Sequence, residues 1–466
     1  MPFVLRRIIF ISTLAPMLAM LATLADFVPA VRPVSGTVVG QSAYSSETPD
    51  RGERLRLFDQ VWRAVSENYY DDRFNGVDWR AQRQIFRPLA EMAGTRVELY
   101  AVLRRMLGTL GDAHTRVYAP EDSFDRYRPS GTTIGVLVRP VEGHPTVTWV
   151  EPESEAAQAG IRPGFRLAQV DGQPVVQVLD RIRRELVASS TRTALELQSF
   201  DRLFQIGDGS VVALQLIDEL GNSRSFTLSR RVVQYQRRAI PRLLPHRIGY
   251  IELTGFGQEV EHEFDLAMQQ MMGTRGLIID LRNNGGGFVT SVMQIASYFF
   301  PEQTDLGEFI TRDGRTTRRY TGLARNFYRA PVLVLVSSRS ASGAEILAAA
   351  MQEQRRATVI GTHPTTCGCL LGVSQTIRLS DGGKLNVSDT DFRTNLGRRI
   401  EGRGVRPDLV VAIRTSDLLL SNDLPLQSAT DLLGRQIVFG DRYGTVDFTI
   451  RLPRDELTLS PGLSQY

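Results

Sequence analysis

One serine in this 466-residue chain stands where a hydroxyl could be made into a nucleophile. Val332-Leu-Val-Leu-Val336 reads as a buried strand. Ser337-Ser-Arg-Ser-Ala-Ser342 is small and polar, and the Ala-rich run to Met351 has high helix propensity. The pattern predicts strand, tight turn and helix, with Ser342 at the helix entry. Unpaired backbone N–H groups and the positive end of the helix dipole lie there, and they could stabilise a developing oxyanion. The same position suits a plain N-cap, so Ser340 and Ser342 read equally as caps from this stretch alone.

A serine needs a neighbouring base. The chain offers five histidines, His114, His144, His246, His262 and His363, and a single lysine, Lys384. His114 follows a helical segment in Gly111-Asp-Ala-His114-Thr, at a helix–strand junction from which a side chain can project into a cleft. A second stretch with chemical potential is Asp280-Leu-Arg-Asn-Asn-Gly-Gly-Gly287, where three glycines follow a buried strand. Glycines there permit φ > 0 and expose backbone N–H groups. A phosphate cradle would look similar, but the lysine of a phosphate loop and the spacing of a dinucleotide fingerprint are both missing. No nucleotide, flavin or haem motif and no paired metal-ligand spacing occurs, so no cofactor or metal is expected.

The elements that must position these residues follow from periodicity. Residues 51–120 form an N-terminal helical part, with Leu57, Val61, Trp62, Val65 and Tyr69 and then Leu99, Val102, Leu103, Met106, Leu107 and Leu110 at helical spacing. Residues 240–433 alternate strand and helix, predicting a mainly parallel sheet whose loops meet at one end and bring the glycine turn to Ser342. A hairpin is expected around Ser380-Asp-Gly-Gly383, a helical stretch from Ser416 to Leu433, and a β-rich tail over 434–466. Between the two parts, residues 131–232 carry short β-like runs and Ala-Gly160-Ile-Arg-Pro-Gly164-Phe-Arg-Leu-Ala-Gln-Val-Asp-Gly172. This resembles a PDZ domain, with Phe165 departing from the usual Asp. Such a domain binds an extended peptide as an added strand and holds its C-terminal carboxylate in a backbone nest. Thr133, Ile134, Gly135 and Val136 are the expected peptide-binding residues. Residues 193–209 look like an insertion to which no role attaches.

Hydrophobic residues make up 42% and charged residues 23% of the chain, so it is globular. Net charge is +4 without a basic block, which argues against nucleic-acid binding. Cys367 and Cys369 are one residue apart; a mutual disulfide would be strained, and a loop-packing role is favoured over a nucleophilic one. Arg6-Arg7 followed by an apolar run to Ala25 reads as a signal peptide or membrane anchor over 1–25, followed by a flexible linker over 26–50. The rest of the chain is therefore expected outside the cytoplasm, periplasmic or extracellular, with membrane association possible through the N-terminal segment.

In order along the chain, the PDZ signature, Asp280-Leu-Arg-Asn-Asn-Gly-Gly-Gly287, Ser340-Ala-Ser342-Gly-Ala-Glu345 and Gly404-Val-Arg-Pro-Asp408 resemble the C-terminal processing (tail-specific) peptidases. The resemblance implies a ClpP/crotonase-like α/β core with an inserted β-rich PDZ domain and a helical N-terminal part. It implies Ser342 as nucleophile and an oxyanion hole from Gly343 and a glycine of the triple-Gly turn, one of Gly285, Gly286 and Gly287, with Gly286 favoured. Most of the family pairs this serine with a lysine 25 residues later; here Cys367 stands there, and Lys384 lies on a turn that reads as surface. The tricorn-core-like branch uses histidine, which maps to His114, with Ala113 in place of that branch's serine, and a glutamate that maps to Glu401. The expectation is a secreted or periplasmic serine endopeptidase acting on polypeptide tails, with His114 as base and His363 as its rival. The alternative is a catalytically inactive pseudoprotease that serves as a peptide-binding scaffold. Glu345 and Glu353 read as helix-surface or structural residues.

Overall fold

The computed structural model describes residues 49–122, 130–205, 210–323 and 326–443. The signal or anchor over 1–25, nearly all of the linker and the chain beyond 443 lie outside the described residues.

The central sheet has six strands, and their spatial order equals their chain order: Ala239–Leu244, Ile248–Leu253, Gly276–Asp280, Val332–Val336, Ala357–Gly361 and Leu409–Val410. The first pair is antiparallel and every later pair parallel. Side chains alternate between faces along a strand. Val332, Val334 and Val336 pack on one face with Phe264, Met268, Ile295 and Ile346. Leu333 and Leu335 pack on the other with Ala429, Leu433 and Ile437. Both faces are covered, so the strand is apolar at every position rather than at alternate ones. The cover on the second face is the helix Leu424–Tyr443. Over 434–443 the chain is helix where a β-rich tail was expected, and it continues ten residues past Leu433 because Ile437 still has the sheet to pack against.

The N-terminal part is three helices, Arg51–Asn68, Trp79–Met92 and Arg96–Gly108, each entered through a capping side chain (Asp50, Asp78, Thr95). Their apolar faces close on Val117, Leu379, Leu385 and Val387. These come from a small sheet in which Arg116–Tyr118 pairs with Lys384–Asn386, itself the second arm of the hairpin with Thr376–Arg378. The turn bearing His114 is thereby fastened to the second half of the core.

Residues 130–133 and 231–234 form a two-stranded ribbon at the entrance and exit of an inserted unit. Inside it, an antiparallel sheet runs in the order Val136–Val141, His144–Val150, Arg166–Val170, Val211–Ile217, Ser223–Ser229. The helices Val175–Leu186 and Arg192–Arg202 pack on this sheet. The second helix is what the sequence showed only as an insertion. Thr191 caps it by accepting the Ala194 amide at 3.0 Å, and Phe200 enters the unit's core.

Candidate active site

Ser342 lies between the end of strand Val332–Val336 and the helix Gly343–Glu353. Its backbone has φ 53° and ψ −117°, a conformation L-residues adopt at a cost of about 1–3 kcal/mol. The turn is sharp because both neighbours are fixed. The Ala341 amide donates to the carbonyl of Asn284 at 3.0 Å and the Ser342 amide to that of Cys369 at 3.1 Å. The Glu345 amide goes to the backbone carbonyl of Ser342 at 2.9 Å. Ser340, in contrast, is fully buried, accepts the Ser337 amide at 2.9 Å and donates to Leu281 O at 2.7 Å, a structural role.

The glycine turn meets this serine closely. A Cβ on Gly286 would lie 2.7 Å from the Ser342 Cβ and 3.0 Å from the Gly343 amide nitrogen. The favoured oxyanion donor, however, is already committed: the Gly286 amide donates to Asn284 Oδ1 at 2.8 Å. Asn284 is itself held by donating to Leu253 O at 2.9 Å, so it orients the turn rather than leaving its amide open. Gly287 has φ 145°, and a Cβ there would collide with Phe256 O at 2.1 Å. Among the described residues the amides of Gly285, Gly287 and Gly343 have no acceptor. They are the amides open to an incoming oxygen.

Glu345, expected on the helix surface or in a structural role, has no exposed surface at all. Its Oε2 accepts the amides of Ser342 at 3.0 Å and Cys369 at 3.1 Å. Its Oε1 accepts Gly368 N at 2.8 Å and the Thr366 hydroxyl at 2.5 Å. Burial pushes this carboxyl up to about 7 against the pull of those donors. Glu353 is structural, its carboxylate shielded and paired with Arg398 at 2.6 Å.

The loop so anchored is Thr-Cys-Gly-Cys. Cys367 and Cys369 are joined in a disulfide across Gly368, with Cα atoms 5.2 Å apart. The sequence suggested that such a bond would be strained and favoured loop packing; the bond is formed, and Gly368 takes φ 68°, which lets the chain fold back on itself between the two sulfurs. With both thiols oxidised, Cys367 is no nucleophile. Ala113 and Ala341, the residues just before His114 and Ser342, both pack on the small cluster of this disulfide and Ala194.

The His114 amide donates to Asp112 Oδ1 at 2.6 Å, and the imidazole Nδ1 stands 4.0 Å from the same carboxylate. The Asp112 side chain is fully buried and also accepts the Thr115 hydroxyl at 2.5 Å. Asp112 was read in sequence only as part of a helix stop; a carboxylate two residues before the histidine was the available signal. His363 Nδ1 is engaged with its own loop, at the Thr365 carbonyl 3.0 Å away. Lys384 is exposed on the hairpin strand opposite Tyr118. Glu401 is buried and accepts the Leu370 amide at 2.7 Å. Burial, and then the Asp112 charge, push its carboxyl up to about 8.

The residues expected to hold a peptide lie on the inserted unit. Thr133 ends the ribbon strand and accepts the Gly135 amide through its hydroxyl at 3.1 Å. Gly135 has φ 82°, and a Cβ there would meet Ser154 at 2.9 Å. Ile134 is buried, and Val136 opens the strand at the edge of the antiparallel sheet. Among the described residues no group of His, Cys, Asp and Glu is gathered for a metal, and no helix is long and apolar enough to cross a membrane.

The family model described as Peptidase family S41 matches residues 247–411, and that of the Tricorn protease C1 domain matches residues 50–108. The chain is 28% identical over 429 residues to the carboxyl-terminal-processing protease of Synechocystis sp. (strain ATCC 27184 / PCC 6803 / Kazusa), covering 88% of this chain and 94% of that one. It is 30% identical over 381 residues to carboxyl-terminal-processing peptidase 2, chloroplastic, of Arabidopsis thaliana, covering 76% of this chain and 68% of that one. Among solved structures, the photosystem II D1 C-terminal processing protease shares its fold, with TM-score 0.52, 24% identity, and coverage of 77% of this chain and 93% of that one.

Proposed function

Since this chain belongs to the carboxyl-terminal-processing peptidases of family S41 and is a serine-type peptidase, we propose that Ser342 is its nucleophile and His114 its base. The observation that carries this reading is the packing of Ala113 and Ala341 on one disulfide cluster, which draws the two turns together where the lysine of related enzymes is absent.

The chemistry then runs in two halves. Ser342 Oγ attacks the scissile carbonyl while His114 takes its proton, and the carbonyl oxygen becomes an oxyanion facing the Gly287 and Gly343 amides. Collapse breaks the C–N bond, His114 returns the proton to the leaving amine, and an acyl-serine remains. Water attacks the acyl-serine with His114 again as base, releasing the new C-terminus and restoring the serine. Asp112 keeps the imidazole side of its turn negative, and Glu401 backs the loop that carries Leu370. A neutral imidazole is available as a base near pH 7 without the desolvation a lysine needs. Substrates are polypeptides presented as an extended tail, with the inserted unit acting as a PDZ-like clamp whose edge strand begins at Val136. The segment Arg6–Ala25 supports export to a periplasmic or extracellular site, and the disulfide suits such an oxidising compartment.

The test is labelling of the full chain with a fluorophosphonate probe, alongside Ser342→Ala, His114→Ala and Lys384→Ala. Labelling should vanish in the first, fall by at least about 100-fold in the second and persist in the third. Persistence in Ser342→Ala would overturn the assignment of the nucleophile. A folded parent that stays unlabelled with and without unfolded polypeptide would favour a peptide-binding scaffold.

A further inference from the structure

Residues 187–191 belong to the inserted unit, yet their polar groups face the peptidase core. The Ala113 amide donates to Ser190 Oγ at 2.9 Å. The same hydroxyl is near enough to the Glu401 carboxyl to favour its ionised form. Next to it, the Thr191 hydroxyl donates to the Cys367 carbonyl at 2.7 Å. Close approach accompanies these bonds. A Cβ on Gly368 would lie 2.8 Å from the Thr191 methyl carbon, one on Gly402 3.8 Å from Ser190 O, and one on Gly111 3.9 Å from Ser189 O. At the loop's start, a Cβ on Gly108 would meet Leu186 O at 2.9 Å. The loop therefore sits against the histidine turn, the disulfide loop and the Glu401 turn at once. Gln198 holds it from behind, donating to Ser189 Oγ at 2.8 Å.

We infer that Ser190 is a positioning residue of the peptidase site, supplied by the inserted unit, which holds the backbone of the His114 turn by accepting the Ala113 amide. Ala113 has no hydroxyl of its own, and Ser190 places one beside its amide. The inference rests on the Ser342–His114 reading above. Its chemistry is that of a backbone amide held beside a buried carboxyl. Glu401 accepts the Leu370 amide. The charges of Asp112 from the helical part and Glu345 from the nucleophile helix oppose its ionisation. Removing the Ser190 hydroxyl leaves Glu401 harder to ionise and the Ala113 amide without an acceptor.

The experiment compares parent, Ser190→Ala, Ser190→Thr and Ser342→Ala as full chains. It uses hydrolysis of fluorescein-labelled reduced casein at several pH values, with thermal unfolding as the fold check. In Ser190→Ala, kcat should fall about 10-fold with KM within about 2-fold, as loss of the acceptor for the buried Ala113 amide predicts. Its acidic limb should move up by about one pH unit. Ser190→Thr, which keeps the hydroxyl, should recover most of kcat and the parent limb. Parent-like kcat and limbs in a folded Ser190→Ala would overturn the role of Ser190. So would an alanine variant that is better than threonine, since that is the signature of packing alone. Activity surviving in Ser342→Ala would instead remove the nucleophile assignment on which the inference stands.

Discussion

Replacing Glu345 by glutamine keeps its volume and removes one acceptor oxygen. Four donors converge on the native carboxyl, two on each oxygen. An amide NH₂ in place of either oxygen leaves two of them facing a donor. Each unsatisfied buried group costs about 1–3 kcal/mol, so Glu345→Gln should lose about 2–4 kcal/mol in urea unfolding. It should also lose activity, because the Ser342 amide is one of the four. Parent-like stability would mean that the carboxyl does not hold the loop as described. The sequence offered Glu345 only as the third residue of a helix, where glutamate is common. Its burial depends on the loop 366–369 folding back over it, which no local pattern encodes. The state of the Gly286 amide was illegible for a similar reason. Three consecutive glycines look alike in sequence, and a side chain two residues earlier decides which amide stays open.

The element that departs most from expectation is the disulfide loop, which stands where related enzymes carry their lysine. It is bonded on every side. Cys367 N donates to Ser340 O at 3.1 Å, Thr366 N to Val405 O at 3.0 Å and Gly402 N to Gly368 O at 2.9 Å. The disulfide closes a ring of only three residues, so its effect on the unfolded chain is about 1–2 kcal/mol. Reduction, or the double change Cys367→Ser with Cys369→Ser, should therefore lower unfolding stability by no more than about that amount and leave kcat within a few-fold. A loss of all activity on reduction would show that the hydrogen bonds cannot hold the loop alone. Strands and helices of the core were readable because their apolar periods are local; the helix to Tyr443 was not, since its apolar face has meaning only against the second face of the sheet.

At the scale of the whole molecule, two buried carboxyls set a slope in stability against pH. Glu345 is pushed up to about 7 and Glu401 to about 8, from an ordinary value of 4.5. Between the ordinary and the raised values the folded protein holds protons that the unfolded chain has released. Their contribution to stability is therefore fully present below about pH 4.5 and is lost as pH rises through 7 to 8. The two together should lower stability by a few kcal/mol across that range. Urea unfolding of Glu401→Gln should show a shallower decline from pH 5 to 8 than the parent; an unchanged slope would mean that Glu401 is ionised in the folded state.

By itself the sequence determined the alternation of strand and helix, the inserted β-rich unit, the glycine turn and the Ser-Ala-Ser helix entry. These are carried by local periodicity and by residue types with few conformational alternatives. It also determined, by simple absence, that no lysine stands 25 residues after Ser342. Tertiary structure alone decided what replaces that lysine's loop, which glycine amides remain open, and that a serine from the inserted unit reaches the histidine turn. Those outcomes depend on chain segments far apart in sequence competing for the same few hydrogen bonds, and only packing resolves that competition.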